Sequence, residues 1–178
     1  MMNPLSPSPR RHTQAAQSVP ATPLTSSRQL VVFRLDRRRY ALPLAVVERV
    51  VRAVEVTPLP KAPRIVLGAI SMHGRVLPVL DVRQRFGLPM REIRPADWFL
   101  VADTARRTVV LVVDDSEGVV DRPQADIVVS TQIVPGLDDF PGVVRLDDGL
   151  VLIHDLERFL SLDEARALEE AMDTRPGT

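Results

Sequence analysis

Residues 67–86 read LGAISMHGRVLPVLDVRQRF. Two apolar runs, Gly68–Met72 and Arg75–Leu80, flank His73-Gly74, so the stretch reads as two strands around a tight turn. Asp81 stands where the second run stops. It is placed to cap a short helix over Val82–Phe86 that Gly87 closes. Residues 149–159, GLVLIHDLERF, repeat the plan: a glycine, an apolar strand, a capping Asp155, one helical turn and Phe159. Two copies of one plan point to two similar small β units.

Upstream, TPLPKAP (residues 57–63) interrupts regular structure, because its three prolines suit neither a helix interior nor a central strand. Before it, AVVERVVRAVEV (residues 45–56) reads as a short helical turn passing into a strand. QLVVFRLDRRRYALPL (residues 29–44) reads as a hairpin with a charged turn at Asp36–Arg39. Residues 1–27 are rich in Pro, Ser, Thr, Gln and Ala and are expected to form a disordered tail. Deleting that tail is expected to leave the unfolding midpoint unchanged, since a segment with no packed apolar contacts stabilises little.

Downstream, residues 87–96 read as a loop. WFLVAD (residues 98–103) and TVVLVVDD (residues 108–115) form another hairpin, which opens the second β unit. The Pro/Gly-rich IVPGLDDFPG (residues 133–142) leads to a third hairpin, whose Asp148-Gly149 is a strong tight-turn signal. Residues 161–173 read as an amphipathic helix. Ser161 and Glu164 form a capping box, Leu162, Ala165, Leu168 and Met172 an apolar stripe, and residues 174–178 a frayed end. Leu77, Val79, Val109, Leu111, Leu152 and Ile153 are the expected buried strand positions.

Composition narrows the function. The chain is 45% hydrophobic and 26% charged with formal net charge +0, so no global field draws it to nucleic acid or an anionic membrane. It has no Cys, which excludes disulfides, thiolate metal sites and a Cys nucleophile and fits a reducing, cytoplasmic setting. No apolar run reaches the roughly 20 residues of a membrane span. His12, His73 and His154 lack metal-ligand spacing. Asp114-Asp115-Glu117 and Asp138-Asp139 stand at strand ends or in loops, where acids commonly serve turns. Without a nucleophile motif or a phosphate-binding glycine loop, the chain reads as a binding module and not an enzyme, with no cofactor or metal expected. A small nucleic-acid-binding β-barrel that uses Arg37–Arg39 is the alternative.

FRLDRRRYALPLAVVERV (residues 33–50), TPLPKAPRIVLGAISMHGRVLPVLDVRQRFGL (residues 57–88) and LDDGLVLIHDLERFL (residues 146–160) resemble, in order and spacing, the CheW-like adaptors of bacterial chemotaxis. The resemblance runs from Gln29 to Leu160, within a domain bounded at 28–160. It rests on Pro60, Pro63, Gly68, the turn Ser71–Gly74, Pro78 and Asp81-Val82. It implies a mainly β fold of two five-stranded SH3-like barrels packed around a shared apolar core, with short capping helices and the C-terminal helix. It also implies a non-enzymatic scaffold that couples the cytoplasmic tip of methyl-accepting chemoreceptors to the regulatory domain of a CheA-type histidine kinase. Such a protein is cytoplasmic and recruited to receptor arrays, with no membrane insertion of its own.

Two positions depart from the family pattern. His73 stands where the resemblance leads one to expect Arg, and Arg49 where it leads one to expect Glu. Glu48 is one step off, and in a regular strand one step reverses the face. The resemblance therefore implies that a complementary Glu/Arg pair is replaced by Arg49 and His73, which reads either as neutral drift at a surface turn or as a changed receptor or a non-flagellar pathway. The receptor groove is expected at Val47, Arg49, Gly68, His73 and Trp98. Val47 and Trp98 would offer apolar contact, and Gly68 a close backbone approach.

Overall fold

The structure is a computed structural model and describes residues 27–128 and 141–173. The expectations for residues 1–26, for Asp138-Asp139 and for the end at 174–178 lie outside those residues.

Each half of the chain runs through a related series of elements: a hairpin, a further strand, a second hairpin and a 3-10 turn. The first half opens with the hairpin β1 (Ser27–Leu35) and β2 (Arg38–Pro43) and continues through a 3-10 turn, Leu44–Val46, into β3 (Val47–Arg52). It ends with the hairpin β4 (Val66–Met72) and β5 (Arg75–Leu80) and the 3-10 turn Val82–Phe86. The second half opens with the hairpin β6 (Trp98–Asp103) and β7 (Thr108–Val113), followed by β8 (Asp115–Pro123) and the short β9 (Ile127–Val128). The hairpin β10 (Gly142–Leu146) and β11 (Gly149–Ile153), the turn Leu156–Arg158 and helix α1 (Leu162–Asp173) complete it.

The two halves exchange strands. One sheet has the order β8-β1-β2-β11-β10-β9 and the other β3-β6-β7-β5-β4. The hairpin that opens each half thus pairs with strands of the other half, through the parallel pairs β2·β11 and β5·β7. The reading that started a second β unit at Trp98 is right about the repeat and wrong about the barrel: β6 and β7 complete the sheet of β3–β5. The expected five strands per barrel become six and five, because β9 pairs with β10 whereas its counterpart is a single bridge, Thr57 to Ala69.

This exchange explains the continuous apolar runs. In β1, Leu30 and Val32 join one barrel's interior, while Val31, Phe33 and Leu35 enter a cluster shared by both barrels. In β7, Val110 and Val112 face the second barrel's interior, and Val109, Leu111 and Val113 the shared cluster. With both faces buried, the alternation that marks a half-exposed strand disappears. Leu77, Val79, Val109, Leu111 and Ile153 are buried, as expected. Leu152 is only half-buried against the shared cluster. Leu152→Ala is therefore expected to cost about 1–2 kcal/mol, below the roughly 2–5 kcal/mol of a fully buried leucine, as measured by denaturant unfolding.

The local signals hold. Asp81 accepts from the Arg83 N–H at 3.0 Å, and Asp155 from the Glu157 N–H at 3.1 Å. The Ser161 N–H donates to Glu164 at 2.8 Å, and the Glu164 N–H to Ser161 Oγ at 3.2 Å, a complete capping box. Leu168 and Ala171 are buried, and Ala165 and Met172 half-buried. Leu162 departs from the expected stripe: it is 67% exposed, lining an open depression with Ala165 and Leu168.

Candidate functional site

The second barrel ends in a polar rim. There the chain must reverse within two residues between β4 and β5, and His73 (φ 49°) and Gly74 (φ 76°) both adopt positive φ. A two-residue loop of that hand matches the twist of the flanking strands. Histidine is among the few residues besides glycine enriched in that conformation. Across the rim the β3·β6 register shifts between Val47 and Arg49, which leaves Glu48 as an extra residue.

That shift corrects the sequence argument about Glu48. A bulge cancels the reversal of face that one step would cause in a regular strand. Glu48 consequently reaches Arg75 at 3.0 Å and Arg49 at 3.0 Å. Glu48 and Arg75 form a Glu/Arg pair on this rim, beside Arg49 and His73. Arg49 in turn lies 3.3 Å from His73 Nδ1. A guanidinium only donates, so Nδ1 is the acceptor in this arrangement. Arg75 also donates to the Thr108 hydroxyl, which donates to Asp103 at 2.5 Å. A chain of contacts thus runs from His73 through Arg49, Glu48, Arg75 and Thr108 to Asp103.

Exposed ion pairs of this kind contribute about 0–1 kcal/mol each. The rim adds little to stability; what it offers is a fixed pattern of donors and acceptors at a surface. Its two arginines and two carboxylates balance in charge. Arg75, Asp103 and Thr108 were not singled out in the sequence, and Glu48 was set on the other face, because nothing local links strands whose rim positions meet only after the barrel closes.

The other expected site residues lie apart from this rim or are engaged within the protein. Val47 stands at the rim but is half-buried against the shared cluster. Trp98 pairs with Arg52 at the far end of β3, about 16 Å away at roughly 3.3 Å per residue. The Arg52 guanidinium carbon lies 3.9 Å from the centre of the Trp98 ring and covers it. Gly68 is buried, and the backbone that approaches it belongs to the protein's own Thr57.

Several acidic and basic positions are paired within the protein, while Arg37 and Arg38 are exposed. Arg39 pairs with Glu117 at 2.6 Å and Asp148 at 2.5 Å, and Arg34 with Asp115 at 2.6 Å. Asp114 is held by Arg83 and Arg91. Among the described residues, no group of three or more His, Cys, Asp or Glu side chains could hold a metal ion, and no helix is long and apolar enough to cross a membrane.

Comparison with known proteins gives a consistent result. The family model described as the CheW-like domain matches residues 29–164. The chemotaxis protein CheW of Rhizobium meliloti (strain 1021) is 27% identical over 142 residues, which cover 79% of this chain and 92% of the relative. Protein FrzA of Myxococcus xanthus is 34% identical over 95 residues, 53% of this chain and 59% of the relative. The crystal structure of the scaffolding protein TtCheW from Thermoanaerobacter tengcongensis superimposes with a TM-score of 0.70 at 24% identity, covering 78% of this chain and 96% of that one. That structure carries the same fold.

Proposed function

Because the chain belongs to the CheW-like family, matched over residues 29–164, we propose that it is a non-enzymatic adaptor of chemosensory signalling. It couples the cytoplasmic tip of chemoreceptors to the regulatory domain of a CheA-type histidine kinase, in the cytoplasm and at receptor arrays. The family match across nearly the whole described β structure carries this reading. Pairing of Arg39 with Glu117 and Asp148 weighs against a nucleic-acid partner, although Arg37 and Arg38 of the same turn stay exposed. In a pull-down, the purified chain is expected to retain both the kinase regulatory domain and a receptor tip; retention of neither overturns the reading.

The rim of Glu48, Arg49, His73 and Arg75 is the proposed receptor surface. Arg49→Glu with His73→Arg restores the charges the family places there but sets a second carboxylate beside Glu48. The double variant is expected to weaken the native receptor, chiefly through a slower and differently salt-dependent association, as altered rim charges at an interface do. It should also gain affinity for receptors of the usual type, read by titration against both. Unchanged affinity for both removes this surface from receptor recognition while leaving the adaptor reading in place.

A further inference from the structure

The rim holds a histidine where its protonation state decides what its neighbour can do. His73 is exposed in the turn between β4 and β5, and Arg49 Nη1 lies 3.3 Å from its Nδ1. A guanidinium has no acceptor to offer, so this hydrogen bond exists only while Nδ1 is bare and the proton of the neutral ring sits on Nε2. A protonated ring donates from both nitrogens. Arg49 then loses its acceptor and faces a second cation across the same short distance.

The surroundings amplify that change. Among the described residues, the charged groups in this chain of contacts are Glu48 and Arg49 of β3, Arg75 of β5, and Asp103 of β6, the last reached through Thr108 of β7. Glu48 is already shared, at 3.0 Å from Arg49 and 3.0 Å from Arg75. With His73 neutral these four charges cancel. With His73 protonated the rim gains a net positive charge, and Glu48 has three cations around it. Carboxylates and guanidinium groups ordinarily keep their charge between about pH 6 and 8, whereas imidazole is the side chain that changes charge there. The proton-dependent step of the rim therefore falls on His73.

We propose that His73 is a pH switch on the receptor surface: protonation releases Arg49 and turns the rim from neutral to positive, so that it binds a receptor segment bearing Asp or Glu side chains more tightly as pH falls. The inference rests on the reading of this rim as the receptor surface. Charge complementarity names the partner's chemistry. A carboxylate supplies the acceptor that Arg49 has lost, whereas a basic segment would meet three cations with one shared carboxylate between them. The coupling is reciprocal, so a receptor that prefers the protonated rim also draws a proton onto it on binding.

Titration of the cognate receptor tip between about pH 8 and about pH 5.5 tests it, with folding at each pH checked by circular dichroism. Wild-type affinity is expected to rise about threefold to fivefold over that range, what one exposed charge contact supplies. Two variants hold the end states. Asparagine tolerates the positive φ of 49° as histidine does, and its carbonyl oxygen can accept from Arg49 without titrating. His73→Asn should therefore lack the rise and bind at every pH as the wild type does in alkali. His73→Arg carries the charge throughout and should bind in alkali as tightly as the wild type does in acid. Calorimetry in buffers of different ionisation enthalpy should show proton uptake on wild-type binding near about pH 6.5 and none with His73→Asn. Identical pH profiles for the wild type and His73→Asn overturn the switch. In that case a weaker Arg49→Glu/His73→Arg variant keeps the rim as the receptor surface. Wild-type affinity that falls in acid while His73→Asn stays level overturns the acidic partner. A wild type that binds no receptor tip at any pH overturns the receptor-surface reading and the switch with it.

Discussion

Asp114→Ala is expected to lower stability by about 3 kcal/mol, the low end of what breaking a buried ion pair costs, because the Asp114 side chain keeps 23% exposure. Asp114 joins β7 to β8, where the chain leaves one barrel for the other. Its carboxylate accepts from Arg83 at 2.8 and 3.0 Å, from Arg91, and from the backbone N–H of Asp36. One side chain therefore ties the first hairpin to residues 83–91 of the second barrel. Truncation leaves the Arg83 side chain, 9% exposed, with the Pro89 carbonyl as its remaining hydrogen-bond partner and no ion pair. An unpaired buried charge costs more than the pair itself contributes.

The same carboxylate sets a pH signature. Burial alone would raise its pKa, but the Asp36 N–H and the Arg91 and Arg83 guanidinium groups outweigh burial and hold it below the ordinary carboxylate range. Asp97 is lowered likewise, by Arg91 and the Arg94 N–H acting against burial. A carboxylate whose folded pKa is depressed contributes stability that is present above its unfolded pKa and lost as pH falls through the folded one. Asp81 has the opposite sign: burial raises its pKa against the Arg83 N–H, and one of its oxygens has no partner. The Asp114 variant should thus show a shallower loss of stability in acid than the wild type. A variant with the wild-type midpoint and the wild-type acid profile would show that the network contributes nothing.

What the sequence reveals here is what short chain segments decide. The turn at His73-Gly74, the caps Asp81 and Asp155 and the Ser161–Glu164 box each involve residues a few positions apart, and all are legible. The strand exchange is not, because β2 pairs with β11 more than a hundred residues away, and strands buried on both faces show no alternation. Glu48 was assigned to the wrong face because a bulge is a property of the pairing and not of the strand. Asp114 looked like a strand-end acid, since its partners Arg83 and Arg91 come from a segment with little pattern of its own. Trp98 looked like an available apolar surface until Arg52, its cross-strand neighbour, was seen to cover it.

Gly68→Ala is expected to be at least as damaging as Asp114→Ala, and for a reason the sequence only half discloses. A glycine at that point suggested room for a partner's backbone, but the space is already filled. A Cβ on Gly68 would stand 2.2 Å from the Thr57 carbonyl oxygen and 2.7 Å from Val56 Cγ1. Neither can yield cheaply, since Thr57 is bonded in both directions to Ala69. The φ of +153° adds strain for any residue with a side chain. Forced repacking costs about 1–3 kcal/mol and a disfavoured φ a further 1–3 kcal/mol or so, for a total of about 3 kcal/mol or more. Gly74→Ala separates the two effects: φ is +76° there, but a Cβ would meet nothing within 4 Å, so only the strain of roughly 1–2 kcal/mol remains. Equal melting temperatures for the two variants would mean that Thr57 moves aside freely.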